Sequence, residues 1–324
     1  MTRWLARRLV QAAVTFAVAV FLLFILMRLT PGDPLARLVG DRDVSAFEIG
    51  QLRARYGVDR PVLAQLGSFA GGLLHGDLGL SIEHYPDPVA SLLRTRLPAS
   101  LLLGGTVLLL NFTLGIWLGV HQAVRRGSRF DRWTGRLALA GYAMPGFWLA
   151  IVLVAFLSLR WRIFPAAQMT DPLLPADAGT AERALDLLRH LVLPAITLSL
   201  TSIALTMRHQ RAAMLAVFRL DYVTAARARG LPEARVRWGH AWRTTLVPML
   251  TLLGLWLPIL VSGSVFVEAV FNWPGLGSLA AEAIAARDYP VLLGTAMLVS
   301  ATVVLAGLLA DLGYALADPR VRPS

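Results

Sequence analysis

The sequence predicts an all-α membrane protein that crosses the lipid bilayer about six times. Of its 324 residues, 56% are hydrophobic and only 16% are charged, whereas a soluble domain has about a quarter charged residues. The apolar residues gather in runs of about twenty, the length an α-helix needs to cross the hydrocarbon core. Because backbone polar groups in lipid must be hydrogen-bonded within the segment, such runs indicate helices.

Six apolar runs define the predicted spans. They are Leu9 to Met27, Leu101 to Val120, Leu137 to Leu159, Leu191 to Met207, Val247 to Phe271 and Val291 to Leu312. The first run follows two arginines, which is also typical of a secretory signal peptide. It exceeds the usual signal-peptide core, and no small-x-small cleavage pattern follows before Pro31, so a membrane span is favoured.

The composition excludes several classes of site. Every one of the 31 basic residues is arginine, and there is no cysteine, so a lysine-containing phosphate-binding loop, a lysine Schiff base and a thiolate metal site are all absent. If ATP drives this protein, another chain binds it. The six histidines show no paired helical spacing, and we expect no metal site and no catalytic group. The net charge is +11, but the arginines lie beside hydrophobic spans and not along one soluble face. We therefore expect no nucleic-acid partner.

The arginines also predict the orientation. With the N-terminus inside, the inner segments hold 18 arginines against four acidic residues, whereas the outer segments are nearly balanced. This asymmetry places both termini in the cytoplasm. The chain then divides into an N-terminal segment with the first span (1–30), an external loop with short helices (31–98) and a core of five spans (99–324).

The external loop contains signals for two helices. Ser45 and Glu48 form a capping box, and Gly57 is a plausible stop for the helix between them. Pro61 opens a second apolar stretch that runs to about Leu74.

The cytoplasmic loop 219–248 predicts two helices joined by a sharp turn. Asp221 can cap a short helix that runs through Arg229, and Gly230 ends it. Pro232 suits the first turn of a second helix that runs towards the fifth span. Such a compact unit can fit a groove on a partner protein. A basic loop that merely follows the positive-inside rule is the alternative, and physical reasoning leaves both open.

This loop resembles the segment through which ABC importer permeases dock on their ATPases. The similarity lies in Thr224-Ala225-Ala226-x-x-x-Gly230, which matches a Glu-Ala-Ala…Gly pattern with threonine in place of the acid. Pro248 is further from the glycine than in the general pattern. Both departures resemble the dipeptide and oligopeptide branch of these importers. His240-Ala241-Trp242-Arg243-Thr244 is also similar to that branch.

Further segments resemble the same branch over nearly the whole chain. They are Arg8-Leu9, Pro31-Gly32-Asp33-Pro34, Gly76-Asp77-Leu78-Gly79-x-Ser81, Pro145-x-Phe147-Trp148, Phe271-Asn272-x-Pro274-Gly275-Leu276-Gly277, Arg287-Asp288-Tyr289-Pro290, Asp311 with Tyr314, and Asp318-Pro319-Arg320-Val321-Arg322. Their joint order resembles the first, B-type permease of the pair. Gly307 stands where this family often has asparagine.

The resemblance implies a type I ABC importer permease fold in a bacterial or archaeal inner membrane. The implied partners are a second, C-type permease, two cytoplasmic ATPase subunits that bind ATP and Mg, and an external solute-binding protein. The implied function is import of peptides or similar small solutes by alternating access, with no cofactor and no chemistry on this chain. The substrate stays open among dipeptides, oligopeptides, nickel chelates, glutathione and other solutes. The implied ATPase-coupling residues are Asp221, Thr224, Ala225, Ala226, Gly230, Leu231, Pro232, His240 and Arg243.

Three residues are candidates for the pathway or its gating. Pro145, followed by Gly146, is predicted to kink the third span. Glu268 and Asp311 are acidic residues inside predicted spans, near the external and the internal end respectively. Structural roles for both acids are the alternative. An ion-coupled secondary transporter would need an inverted repeat and buried coupling carboxylates, and a membrane enzyme or a scaffold subunit are further alternatives with less support in the sequence.

Overall fold

The computed structural model describes residues 2–29, 50, 53–54, 60–259 and 264–317. In this part of the chain the structure consists of helices and one isolated antiparallel bridge between Leu80 and Pro88, so the all-α class is confirmed. The helices are named here in chain order. They are α1 Thr2–Leu29, α2 Val62–Leu74, α3 Val89–Val124, α4 Arg129–Ala143, α5 Gly146–Leu153, α6 Thr180–Val217, α7 Asp221–Ala228, α8 Trp242–Trp256, α9 Val265–Val270, α10 Leu276–Ala286 and α11 Tyr289–Ala317.

Two helical segments have π geometry, with one extra residue in each hydrogen-bonded turn. Val154–Arg160 continues α5, and Arg235–Ala241 leads directly into α8.

Four helices (α1, α3, α6 and α11) are long and apolar enough to cross a membrane. The pair α4 and α5, with its π extension, qualifies as a fifth span if the two bent halves are counted together. The predicted fifth span divides between α8 and α9, which lie on either side of the undescribed residues 260–263. The predicted total of about six spans therefore stays a prediction.

The predicted third span, Leu137 to Leu159, is divided at Pro145 into the helices α4 and α5. The α4 and α5 axes meet at an angle of 102°, and Met144 between them is extended, with φ −80° and ψ 130°. The pyrrolidine ring of a proline disfavours the helical region for the residue before it. The predicted kink is thus confirmed, but it is a full break between two helices.

The packed centre of the molecule is the contact between α3 and α6. Gly115 and Gly119 lie one turn apart on α3. A Cβ atom at Gly119 would lie 2.6 Å from the Met207 carbonyl oxygen on α6, and one at Gly115 would lie 2.9 Å from the Thr206 Cβ. Small residues in this spacing let two membrane helices approach to backbone contact.

Helix α1 packs on α11 at the edge of this core. Val20 and Phe24 contact Leu293 and Met297, and the Arg8 guanidinium lies 3.3 Å from the Asp311 carboxylate. Helix α2 begins after Pro61, as predicted, and packs against this contact through Leu66, Phe69 and Leu73. The remaining predicted loop features and the motifs at Pro31 to Pro34 and Asp318 to Arg322 lie outside the described residues.

Candidate coupling loop and buried carboxylate sites

Helix α7 of the candidate coupling loop ends in a glycine-dependent cap. Gly230 has φ +75°, its N–H donates to the Arg227 carbonyl at 2.9 Å, and the Leu231 N–H donates to the Ala226 carbonyl at 3.3 Å. This pair of bonds is the Schellman motif, which requires a left-handed residue that only glycine adopts without strain. The predicted stop at Gly230 is therefore confirmed.

The start of α7 differs from the prediction. Leu220 occupies the N-cap position with no side-chain cap bond, and Asp221 is the first helical residue. The predicted cap by Asp221 is wrong, and its carboxylate instead lies in the first turn, where negative charge is favourable to the helix dipole. The helix ends at Ala228, one residue before the predicted end.

The second helix of the loop is continuous with the following membrane helix. The Pro232 carbonyl accepts hydrogen bonds from the N–H groups of Arg235 and Val236 at 2.8 and 3.1 Å, which opens the helix at the predicted place. The π segment then passes into α8 without a break, and Pro248 lies inside α8. A displacement of the loop would consequently be transmitted directly to α8.

The loop is fixed to the ends of α3 and α6 by an apolar cluster. Val223, Ala226 and Val236 from the loop are buried against Val120 of α3 and Met214 of α6. Gln210 of α6 adds a polar link, because its side-chain amide donates to Thr245 Oγ1 of α8 at 2.9 Å. The loop and the three membrane helices α3, α6 and α8 thus form one packed unit.

The predicted coupling residues do not share one surface. Ala226 is buried in this cluster and Leu231 is half-buried, whereas the remaining predicted residues of α7 and the turn are exposed. The exposed ones are Asp221, Thr224, Ala225, Gly230 and Pro232. Glu233 closes the turn through ion pairs with Arg227 at 2.9 Å and Arg237 at 3.6 Å.

The last two predicted coupling residues lie at the end of the loop. His240 is half-buried, and its Nδ1 lies 3.2 Å from the Arg235 carbonyl oxygen, a contact that fixes the ring against the π segment. Arg243 is exposed on the first turn of α8.

Glu268 forms a wholly buried carboxylate site between α3, α9 and α10. Its Oε2 accepts from the Ser278 N–H at 2.9 Å, and its Oε1 accepts from Ser100 Oγ at 3.4 Å. Ser100 Oγ in turn accepts from the Leu276 N–H at 2.7 Å. Among the described residues no cation pairs with Glu268, so backbone donors at the N-terminus of α10 stabilise it.

The residues that follow Glu268 leave room for its carboxylate and pack around it. A Cβ atom at Gly275 would collide with the Glu268 carboxylate and lie 2.6 Å from Ser100 Oγ. The buried Trp273 indole N–H donates to the Ala99 carbonyl at 2.9 Å. Glu268 therefore joins three helices, and its geometry favours the structural alternative over direct substrate contact.

Pro145 lies between α4 and α5, whereas Asp311 belongs to α11. Gly146, the residue after Pro145, faces Val267, since a Cβ there would lie 3.9 Å from the valine methyl. The break at Pro145 is thus adjacent to the Glu268 site. Asp311 lies near the C-terminal end of α11 and is paired with Arg8 of α1.

A second buried carboxylate, Asp288, was missed as a site by sequence reasoning. Its Oδ2 accepts from Ser81 Oγ and from the N–H groups of Ile82 and Glu83 at 2.9 and 3.0 Å. Its Oδ1 accepts from the Val291 N–H at 3.2 Å, which caps α11. Two motifs about 200 residues apart therefore form one contact, and the only signal for it was that both resemble the same family.

A buried polar row between α3 and α6 was also missed. Asn111, Ser199 and Thr206 are at most 2% exposed, and their side-chain polar atoms have no hydrogen-bond partner among the described residues. Hydroxyl and amide groups inside helical runs carry no spacing signal that distinguishes a pathway from a packing contact. No group of three or more potential metal ligands occurs in the described ranges.

Comparisons with known proteins agree along the whole chain. Residues 111–323 match the family "Binding-protein-dependent transport system inner membrane component", and residues 1–99 match the N-terminal family of such membrane components. A dipeptide transport system permease protein DppB of Escherichia coli is 35% identical, and a di/tripeptide transport system permease protein DppB of Pseudomonas aeruginosa is 38% identical. A putative peptide permease protein of Brucella suis is 36% identical. Each comparison covers 99% of both chains.

The fold is also that of a solved transporter. A chain of the MetNI methionine ABC transporter, in inward-facing conformations, superposes with a TM-score of 0.56 at 16% identity, covering 70% of this chain and 96% of the other. Such permeases sit in the inner membrane as multi-pass subunits and work with ATPase and other permease subunits. The chain belongs to the family of binding-protein-dependent transport system inner membrane components, and it is a permease subunit of an ABC importer.

Proposed function

We propose that this permease forms half of the translocation pathway of a peptide importer and that loop 219–248 is its contact with an ATPase subunit. The observation that carries the proposal is the packing of the loop. Its buried side holds α3, α6 and α8 together, whereas Thr224 and Ala225 stay exposed on the opposite side. A rigid unit with one free face suits a groove on a partner protein.

The proposed assembly has a second, C-type permease, two cytoplasmic ATPase subunits and an external solute-binding protein. ATP and Mg belong to the ATPase subunits, and both termini of this chain lie in the cytoplasm. The substrate class is peptides or similar small solutes, which is supported by the similarity to peptide and dipeptide permeases.

The contacts of the loop support alternating access as the mechanism. Closure of the ATPase pair moves α7, and the buried cluster of Val223, Ala226 and Val236 carries that movement to α3 and α6. The π segment carries it into α8. Because packed interfaces are bistable and resist continuous deformation, the helices switch between two arrangements. The break at Pro145 and the helices that Glu268 holds together lie at the far side of this path and are the proposed gating region.

The test is an Ala225→Asp substitution in the full chain, expressed with its ATPase subunits. Ala225 is exposed, so the new carboxylate leaves the fold intact but introduces charge and volume into the contact. We expect the ATPase subunits to be lost on purification and transport to stop, with the amount of permease in the membrane unchanged. Ala226→Asp is unsuitable because that residue is buried within this chain.

The matched control is Ala184→Asp, the same chemical change at an exposed position near the opposite end of α6. It should retain the ATPase subunits. Unchanged co-purification and transport in Ala225→Asp would overturn the coupling proposal. The loop would then be a basic connection that follows the positive-inside rule.

A further inference from the structure

The first half of α4 carries a stripe of exposed arginines on one face. Arg129, Arg132 and Arg136 follow one another at intervals of three and four residues, so their side chains leave the helix on the same side. All three are exposed, as are Arg125 and Arg126 in the preceding turn. These five residues are called here the basic stripe. No ion pair of the stripe with an acidic side chain occurs among the described residues.

The nearest carboxylate, Asp131, is turned away from the basic stripe. Its two oxygens accept from Nε and Nη2 of Arg211, both at 2.9 Å, and Oδ2 also accepts from the Gly127 N–H at 2.9 Å. Its exposed fraction is 9%. Arg211 of α6 holds this carboxylate, and Arg126 of the stripe also acts on its charge. Arg129, Arg132 and Arg136 are therefore the exposed cations of the stripe that have no acidic partner among the described residues.

Large apolar side chains lie beside and after the stripe on the same helix. Trp133, Leu137, Leu139 and Tyr142 are between 52% and 67% exposed. The Arg136 guanidinium lies 5.5 Å from the centre of the Trp133 ring. This cation–π contact joins the basic stripe to the exposed apolar side chains. The exposed surface therefore changes from cationic to apolar within about two helical turns.

We infer that the basic stripe and the apolar surface after it bind an anionic phospholipid. The headgroup phosphate would lie between Arg132 and Arg136. Each guanidinium group can donate two parallel hydrogen bonds to phosphate oxygens. The acyl chains would cover Leu137 and Leu139. A phospholipid matches both the arginines and the apolar side chains, because it joins a negatively charged headgroup to hydrocarbon chains in one molecule. The inference does not depend on the orientation of the chain or on the coupling proposal.

The experiment uses the full chain, purified from membranes and placed in nanodiscs of phosphatidylcholine with or without phosphatidylglycerol. Native mass spectrometry measures the retained phosphatidylglycerol, and a melting curve measures its effect on stability. We expect wild type to retain the anionic lipid and to melt at a higher temperature with it. Arg132→Gln with Arg136→Gln should lower retention by about five-fold for each arginine removed, the attraction of one basic residue to an anionic lipid surface.

Two further variants keep the result interpretable. Arg229→Gln with Arg235→Gln removes the same charge from exposed positions of the candidate coupling loop and should leave retention unchanged. Arg132→Lys with Arg136→Lys keeps the charge but loses the planar fork, and should show an intermediate loss.

Three results would overturn the inference. The first is equal retention of phosphatidylglycerol by wild type and the Gln pair. The second is displacement of the lipid by inorganic phosphate, since a site for the free ion does not need the acyl chains. The third is a change from oligomer to monomer in the Gln pair without a change in lipid retention, which would assign the surface to a second copy of the chain.

Discussion

At the scale of single residues, Glu268 allows a structural role of a buried carboxylate to be distinguished from a role in transport. Its carboxylate is wholly buried and accepts from the Ser278 N–H and from Ser100 Oγ. Two helices that are far apart in sequence therefore meet at one side chain. The same function is served at Asp288, which accepts from the backbone of Ile82 and Glu83 and caps α11.

We expect Glu268→Gln to fold and transport nearly as wild type. The amide oxygen can still accept from the Ser278 N–H, and the amide nitrogen can donate to Ser100 Oγ. Glu268→Ala leaves these buried donors unpaired, at a cost of about 1–3 kcal/mol for each. Melting temperatures in detergent and transport in proteoliposomes measure both effects. A stable Glu268→Gln protein without transport would instead assign the charge itself to the transport cycle.

At the scale of helices, the approach of α3 to α6 depends on glycine. We expect Gly119→Ala to lower the stability by about 1–3 kcal/mol, because the new methyl group would meet the Met207 carbonyl and force the backbones apart. Gly307→Ala is the matched control, since no atom lies within 4 Å of a Cβ at that exposed helical position. It should be neutral or stabilising by about 0.5–1 kcal/mol. Equal melting temperatures of the two variants would contradict the close approach.

The break between α4 and α5 gives a second prediction at this scale. Since the chain has no cysteine, spin labels can be attached at Leu139→Cys and Phe156→Cys, both exposed positions. Pro145→Ala should broaden the measured distance distribution and shift it to longer values, because Met144 is then free to become helical. Pro172→Ala, in an exposed turn, should leave the distribution as in wild type. An unchanged distribution in Pro145→Ala would mean that packing against Val267 maintains the bend.

At the scale of the whole molecule, the arginine distribution predicts which ends of the helices lie together inside the cell. The structure agrees with two separate ends, since the candidate coupling loop packs at one end of α3 and α6 and the Glu268 site lies at the other. Arg229 is exposed at the first end, and Leu173, in the segment before α6, is exposed beyond the second.

We therefore expect Arg229→Cys and Leu173→Cys to react with a membrane-impermeant maleimide from opposite sides. Arg229→Cys should be labelled in inside-out vesicles and Leu173→Cys in right-side-out vesicles, with the cysteine-free wild type unlabelled in both. Labelling of the two positions from the same side would reverse part of the predicted topology.

The sequence by itself determined the features that depend on neighbouring residues. Apolar runs of membrane length predicted the class and most of the spans, and Gly230 with Pro232 predicted the turn of the loop, because glycine and proline act on their own backbone angles. The proline at 145 predicted a kink for the same reason. That the kink is a full break of 102° is visible only in the structure.

Only the tertiary structure decided which neighbours each side chain meets. It separated the exposed Ala225 from the buried Ala226, although the two are adjacent in sequence. It joined Asp131 to Arg211, which lies 80 residues away, and so left Arg129, Arg132 and Arg136 without an acidic partner among the described residues. Such contacts form between residues that are remote along the chain, and their energy depends on helix register and burial. Local patterns in the sequence contain neither of these quantities.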